Sequence, residues 1–442
     1  MVSISGVRGV YGDGLDEELA EKFAFVFGTL YKGRIVVGRD SRVSGKALSK
    51  TVISGLRKSG SDVIDIGLAS TPTTEMAVPA RNASGGIVIT ASHNPAEWNG
   101  LKFLGPDGVF LDSVQGAALL EKYHEVENVR DKPLLGSVTA WNGADDHHIR
   151  SILTLDCIDS TLIGSRKFSV CIDTVNGAGG EICTRLLRHL GCKVHLINGE
   201  PTGDFTHNPE PVPEHIQGLC EYVKEKQADI GFAVDPDVDR LSIVSEEGVA
   251  IGEEYTLALA VDYLLSRRKT PVACNLSTSR MIDDAAERHG ETVYRSPIGE
   301  INVVQLMRET GAGIGGEGNG GIILPDLHYG RDAVLGIALI LQLMAGRNRK
   351  ISELAGTFPS YTMIKEKIAV AQKGSWIEPV KAAFRGEKVD ERDGIKVIFS
   401  KSWVHIRESN TEPAVRLFAE APTVNEARNL IQKVRGIVYK AI

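Results

Sequence analysis

The sequence has no run of about 18 consecutive apolar residues, the length a helix needs to span a bilayer, so no membrane span is expected. Its opening residues, MVSISGVRGVYGDG, lack the basic-then-apolar order of a secretion signal, and a cytoplasmic location with no membrane partner is expected. Cysteine is sparse and unpatterned. Cys157, Cys171, Cys183, Cys192, Cys220 and Cys274 form no C-x-x-C pair, which argues against zinc ligation and a disulfide framework and leaves buried free thiols as the expectation. Basic charge is not in excess either. With 50 Lys and Arg against 57 Asp and Glu, a net charge of −7, a nucleic-acid partner is not expected, and any anionic ligand must be held by local clusters of Arg and Lys.

What is present is a chain of 442 residues with 42% apolar and 24% charged content, too long for a single ordinary core and composed like a soluble globular protein. Short β-branched runs alternate with amphipathic stretches. LDEELAEKFAFVFGTLY leads into RIVVG, SGKALSKTVISGLRKSG into DVIDIG, and TTEMAVPARNAS into GGIVIT, a β/α alternation. The pattern restarts at KFSVCIDTVNGAGGEICTRLLRHLGCKVHLI and again at TPVACNLSTSRMIDDAAERHGETVYRS, giving three units of similar α/β design. From about residue 365, the strands GIKVIFS, SWVHIRES and AVRLFAEA precede the helix TVNEARNLIQKVRGIVYKAI, which predicts a smaller α+β unit.

Four stretches carry chemistry. TASHNPAEWNG follows the apolar run GGIVIT and delivers Ser92 and His93 to the end of a strand. In DPDVDR, Asp235, Asp237 and Asp239 alternate just past an apolar run, so a strand end or tight loop turns three carboxylates to one point. Carboxylates so close repel unless a cation neutralises them, and a hard divalent ion such as Mg²⁺ is the economical explanation. A calcium EF-hand is weighed and set aside, because Arg240 stands where the sharp turn needs Gly and both flanks read as strand; a solvated acidic turn is the bland alternative. RESNTEPAVR offers Arg407, Ser409, Asn410, Thr411 and Arg416 around a turn suited to a tetrahedral anion, although a surface turn with incidental arginines reads as readily. GIGGEGNGGIILPDLHYGRD places Glu317 and Asn319 among glycines that let the backbone approach a ligand, a pattern too weak to stand alone.

Taken in order, TASHNP with NGLKF, DPDVDR, GGEGNGG and RESNTEP resemble the motifs of the α-D-phosphohexomutases, and SISGVRG and VVGRDSRVSG resemble that family's first-domain loops. The resemblance covers essentially the whole chain. It implies an α/β fold of three related α/β domains plus a C-terminal α+β domain around a central cleft. The boundaries expected are 1–145 with a phosphoserine loop, 146–247 with a metal-binding loop, 248–364 with a sugar-binding loop and 365–442 with a phosphate-binding loop.

By the same resemblance, Ser92 carries a phosphoryl group, and Asp235, Asp237 and Asp239 hold Mg²⁺ with a phosphate oxygen on Ser92. Lys102 is the acid/base candidate, His93 positions the loop or the phosphate, and Arg8, with Arg39 and Arg42, adds charge from the first domain. Neighbouring strand residues point opposite ways, which argues against a Ser92–His93 dyad. Arg240, Glu317 and Asn319 face the sugar, and Arg407, Ser409, Asn410, Thr411 and Arg416 grip the phosphate that is not reacting. The implied reaction exchanges the 1- and 6-phosphates of a hexose phosphate through a sugar bisphosphate that is both intermediate and activator, in a monomer or homodimer.

Two departures touch the sugar domain. Asn319 and Gly321 stand where many relatives have Ser and His, and SPIGEIN lacks the Lys or Arg that relatives often place at or after Glu300. Glucosamine phosphate is the expected substrate, with mannose and glucose phosphates as the alternative. A Mg²⁺-dependent sugar phosphatase and an inactive sugar-phosphate-binding protein are the readings from other classes.

Overall fold

The computed structural model describes residues 6–369, 374–408 and 414–441, together with the backbone of Val2 and Ser3. Three α/β units follow one plan. In the first, the strands run in the order Asp62–Leu68, Arg34–Arg39, Gly85–Ile89, Trp98–Leu104, the first three parallel and the last antiparallel. Gly6–Tyr11 and Val138–Ala140 extend this sheet at its two sides. The second unit repeats the order with Lys193–Ile197, Ser169–Asp173, Ile230–Val234 and Leu241–Ser245. The third repeats it with Val293–Ser296, Val272–Asn275, Ile314–Glu317 and Gly321–Ile323.

This shared topology positions the chemistry. In each unit the chain leaves the third parallel strand and turns back into the antiparallel one, and the connecting loops hold Ser92, the three aspartates and the Glu317–Asn319 stretch respectively. The three motifs therefore occupy one structural position in three repeats.

Local sequence explains the elements. Asp16 Oδ1 accepts from Leu19 N at 2.8 Å and caps Glu17–Leu30. Ser70 Oγ accepts from Thr73 N and caps Thr71–Ala80, a helix with Pro72 in its first turn and every residue from Thr71 to Val78 buried. Two helices, Glu254–Leu265 and Ala333–Arg347, are apolar on nearly all sides. They sit in one apolar core that takes residues from both units, from Ile149 to Phe358, so the second and third units share it. Each fully buried Leu or Ile there contributes about 1.5–3 kcal/mol.

The last unit is a five-stranded antiparallel sheet, Thr362–Ala369, Ala414–Ala421, Trp403–Glu408, Ile395–Ile398, Lys388–Asp390, covered by helix Val424–Ala441. Its core, around Trp376, Val404, Leu417 and Ile431, is its own. The six cysteines are free, and all except half-exposed Cys192 are buried.

Candidate active site

Ser92 lies past the end of its strand with φ +51°, a left-handed conformation that non-glycine residues seldom adopt. Its N–H donates to Thr90 Oγ1 at 2.9 Å, and Thr90 Oγ1 donates to Asp40 Oδ2 at 2.7 Å. Arg42 is the anchor of this turn. Its side chain is fully buried and donates to the carbonyls of Ser92 and Asn94 at 2.6 Å each and of Trp98 at 2.9 Å, as well as to that of Pro95, while Asp40 Oδ2 balances its charge at 3.0 Å. The expectation that Arg42 serves as a phosphate-facing charge is thereby corrected, since its donors are committed to the loop backbone. Arg39 donates to the Asp40 carbonyl, and Arg8 to Asn94 Oδ1 at 2.8 Å.

The strained turn brings neighbours together that a strand would separate. Ser92 Oγ is 3.3 Å from His93 Nδ1, so the argument from strand alternation fails: the strand ends at Ile89. Burial holds the His93 pKa well below the ordinary histidine value, and the charges of Arg240 and Arg8 push it the same way. Nor is Ser92 an exposed loop hydroxyl, because only 3% of the residue is accessible.

Asp235, Asp237 and Asp239 are completely buried, with one oxygen from each inside a cluster 4.8 Å across. Val238 turns the loop with φ +63°. Asp237 and Asp239 each use one oxygen on the protein, and Asp235 uses both. Asp235 Oδ1 accepts from the N–H groups of Asp239 and Arg240 at 3.0 and 3.2 Å. Asp237 Oδ2 accepts from Thr71 Oγ1 at 2.6 Å and Lys102 Nζ at 2.8 Å. Asp239 Oδ2 takes Arg331 Nη2 at 2.5 Å.

The other oxygens are differently placed. Asp235 Oδ2 receives the Ser92 hydroxyl at 3.1 Å, whereas Asp237 Oδ1 and Asp239 Oδ1 are buried and accept no hydrogen bond, Arg240 Nε standing 3.7 Å from the latter. Two orphaned carboxylate oxygens in a dry site are costly unless a cation meets them. This donor set, all oxygen, fits a hard divalent ion. Burial and the charges of Asp239 and Asp237 drive the Asp235 pKa well above the carboxylate range. Burial alone would lower the Lys102 pKa, but Asp237 and Asp239 outweigh it and leave it raised, so Lys102 is a cation here.

The third loop joins this cluster through a residue to which the sequence reading gave no role. Arg331 donates to Asp239 and also to Glu317 Oε2 at 2.8 Å and Glu300 Oε2 at 3.1 Å. Glu317 Oε1 accepts from Asn275 Nδ2 at 2.7 Å and from Gly299 N at 3.2 Å. Burial would raise the Glu317 pKa, but Arg331 and Asn275 outweigh it and hold the carboxylate ionised. Asn319 is half-buried, its Oδ1 accepting from Gly321 N at 3.3 Å. Arg240 is bound to Glu210 Oε1 at 3.1 Å.

Arg407 and Arg416 face each other across the last hairpin, one residue or more outside the 409–413 loop. Arg407 Nε is 3.3 Å from Asp393, whose Oδ2 also accepts from Ile298 N beside the sugar loop. Ser409, Asn410 and Thr411 lie outside the described residues.

Comparison with known proteins agrees with this geometry. The phosphoglucomutase/phosphomannomutase models match in chain order, alpha/beta/alpha domain I at residues 2–130, domain II at 146–248, domain III at 252–361 and the C-terminal domain at 365–437. A phosphoglucomutase/phosphomannomutase of Thermococcus kodakarensis is 39% identical, the alignment covering 97% of this chain and 96% of the relative. A probable phosphoglucosamine mutase of Methanopyrus kandleri is 34% identical over 99% of this chain and 97% of its own. The crystal structure of a phosphoglucomutase/phosphomannomutase family protein from Burkholderia thailandensis superimposes with a TM-score of 0.88 at 28% identity, covering 100% of this chain and 98% of that one. Four domain models matched in order, on three repeats that bring a serine turn against three buried aspartates, establish that this chain belongs to the phosphoglucomutase/phosphomannomutase family and is a phosphohexomutase, an isomerase.

Proposed function

We propose that Ser92 is the phosphoryl carrier of this isomerase and that Asp235, Asp237 and Asp239 hold Mg²⁺ beside it. The observation that carries this reading is the Ser92 hydroxyl on Asp235 Oδ2 at 3.1 Å, next to two buried carboxylate oxygens without partners. The ion, when bound, neutralises charge on the transferring phosphoryl group. Lys102, a cation against Asp237 and close to Asp239, adds positive charge on the same side and is the group to return a proton to a departing oxygen. His93, kept neutral, is placed to take the Ser92 proton when the serine is rephosphorylated. Arg407 and Arg416, with Ser409, Asn410 and Thr411, hold the phosphate that is not reacting, and Glu317 and Asn319 face the sugar. A sugar bisphosphate is the intermediate and activator. Domain limits near 145, 247 and 364 belong to this reading; the last lies within the strand Thr362–Ala369, which already pairs in the final sheet.

For the substrate we infer glucosamine 6-phosphate to glucosamine 1-phosphate, in keeping with the name of the Methanopyrus relative. Glucose and mannose phosphates form a second reading, favoured by a specific observation: both oxygens of Glu317 are already engaged, and Arg331 balances its charge, which leaves less for an ammonium on C2. The test is kcat/KM for each 1-phosphate under one bisphosphate and Mg²⁺ condition. A tenfold preference for glucose or mannose 1-phosphate, about 1.4 kcal/mol in transition-state binding, selects the second reading. Release of inorganic phosphate without isomer formation would overturn the mutase reading itself.

A further inference from the structure

We propose that Arg331 is a positioning residue that joins the metal-holding loop to the sugar loop, and that position 321 is glycine because the Arg331 stem passes over it. The inference rests on the reading above, in which the aspartates hold a divalent ion and Glu317 faces the sugar.

Arg331 is 7% exposed and makes four charge-assisted bonds in one buried place. Nη2 holds Asp239 Oδ2, Nη1 holds Glu317 Oε2, Nε holds Glu300 Oε2, and the backbone N–H reaches Glu300 Oε1 at 2.8 Å. A planar guanidinium can serve three carboxylates in fixed directions, whereas an ammonium is a point charge on a flexible stem. Because Asp239 Oδ2 is taken, its Oδ1 is the oxygen left without a hydrogen bond among the described residues. The same side chain fixes Glu317, so the geometry of one loop is set by that of the other.

Gly321 supplies an independent observation. A Cβ there would lie 2.4 Å from Arg331 Cδ, 2.9 Å from its Cγ and 3.2 Å from its Cβ. The stem cannot yield without drawing the guanidinium off its partners. Arg331 does not touch the reacting atoms; it acts through Asp239 and Glu317.

The experiment follows Mn²⁺ binding to the full chain without sugar, by loss of the free-ion paramagnetic resonance signal, in wild type, R331K, G321A and the double variant. KM and kcat for the sugar phosphate are measured in parallel, and thermal melts report on folding. R331K keeps the charge and loses the fork. The expected result is weaker Mn²⁺ binding by about tenfold or more together with a raised KM, in R331K and in G321A alike. The double variant is expected to be no worse than R331K, since both substitutions act on one side chain. G321A retains the arginine, so the proposal stays testable if R331K does not fold. Wild-type Mn²⁺ affinity and KM in both single variants, with only the melting temperature lowered, would overturn the positioning role while leaving the metal reading intact. A wild-type chain that binds no Mn²⁺ would overturn the metal reading and this inference with it.

Discussion

Ser92 and Asp235 are 143 positions apart in sequence and 3.1 Å apart in space, hydroxyl to carboxylate. They meet because each sits on the return loop of its own repeat, and the two repeats face each other there. Ser92→Ala removes the carrier oxygen and its hydrogen bond to Asp235 Oδ2 but leaves the turn in place. The turn is held by the Ser92 N–H on Thr90 and the Ser92 carbonyl on Arg42, both backbone groups that alanine keeps. Turnover should fall to background, stability should drop by about 1–3 kcal/mol because Asp235 Oδ2 loses its donor, and intact-mass spectrometry after incubation with sugar bisphosphate should show one phosphate on wild type and none on the variant. Phosphate mapped by fragmentation to another residue would show that Ser92 is not the carrier.

Arg42→Met tests the anchor. The substitution strands four loop carbonyls and leaves Asp40 as an unpaired buried charge. Loss of one partner of a buried pair costs about 3–5 kcal/mol. Denaturant unfolding should show a destabilisation in that range with activity lost as well. A variant as stable as wild type would mean that the loop does not depend on this arginine.

A buried chain of polar groups ties three units together: Ser70 to Thr73, Thr73 to His148, His148 to Asp332 at 2.7 Å, Asp332 to His328 at 3.2 Å, with Glu75 3.4 Å from His328. Burial would lower the His328 pKa, but Asp332 and Glu75 outweigh it and raise it to about 10. Burial pushes Glu75 up to about 8, against the pull of His328. Both folded values lie above the unfolded ones. The His328 contribution is complete below about 6.5 and is lost as pH rises toward 10, and that of Glu75 is lost from about 4.5 to 8. Lys396, lowered by burial to about 7, works in the opposite sense, so the comparison must be between variants. The stability advantage of wild type over H328Q should shrink as pH rises from 7 to 10, read from urea midpoints. A difference that does not change with pH would exclude the charged His328 as its source.

The repeats were legible in the sequence because strand, turn and helix alternate locally, and TASHNP and DPDVDR follow apolar runs that announce the strands delivering them, whereas the short strand ending at Glu317, IGGE, is half glycine and announces nothing. The Asp235–Asp239 alternation likewise carries its own geometry. What stayed hidden depends on partners in different units. Arg331 is the fourth residue of the phrase HYGRD and is 92 positions from Asp239, so nothing local marks it as the link between two loops. The family resemblance implies that Arg42 adds positive charge from the first domain, and only the fold reveals that its donors go to carbonyls. Glu254–Leu265 and Ala333–Arg347 look merely apolar until the shared core explains why they lack a polar face.

Asp237→Asn should weaken metal binding and turnover together, because the residue offers the cluster one of its two orphaned oxygens and takes Lys102 on the other. Calorimetric Mg²⁺ titration and steady-state rates across Mg²⁺ concentrations read the two effects. Chelator should abolish wild-type activity and Mg²⁺ should restore it. Full activity in metal-free buffer would rule out the metal role.

The last unit is expected to move as a body when substrate binds. Its apolar core is separate, whereas the second and third units share theirs. Its seam with the third unit is polar: Lys396 Nζ on the Leu276 carbonyl, His405 on Ser277 at 2.8 Å, Glu420 on Arg280 N at 2.9 Å and Lys365 on Glu253 at 2.8 Å. Such contacts exchange with water at less cost than an apolar interface does, and seams of this kind permit hinge motion. The segment 275–280 touches both sides, since Asn275 also holds Glu317 and Thr278 Oγ1 accepts from Gly318 N at 3.1 Å. Sugar bound at the third loop therefore bears on the same segment that carries the last unit. Saturating sugar phosphate should reduce the radius of gyration in solution scattering as residues 365–442 close on the rest. In a Ser277→Ala variant, which leaves His405 held through Nε2 on the Asp393 carbonyl alone, the change between the two states should remain while the KM rises. Superimposable profiles with and without ligand would show that the last unit stays where it is.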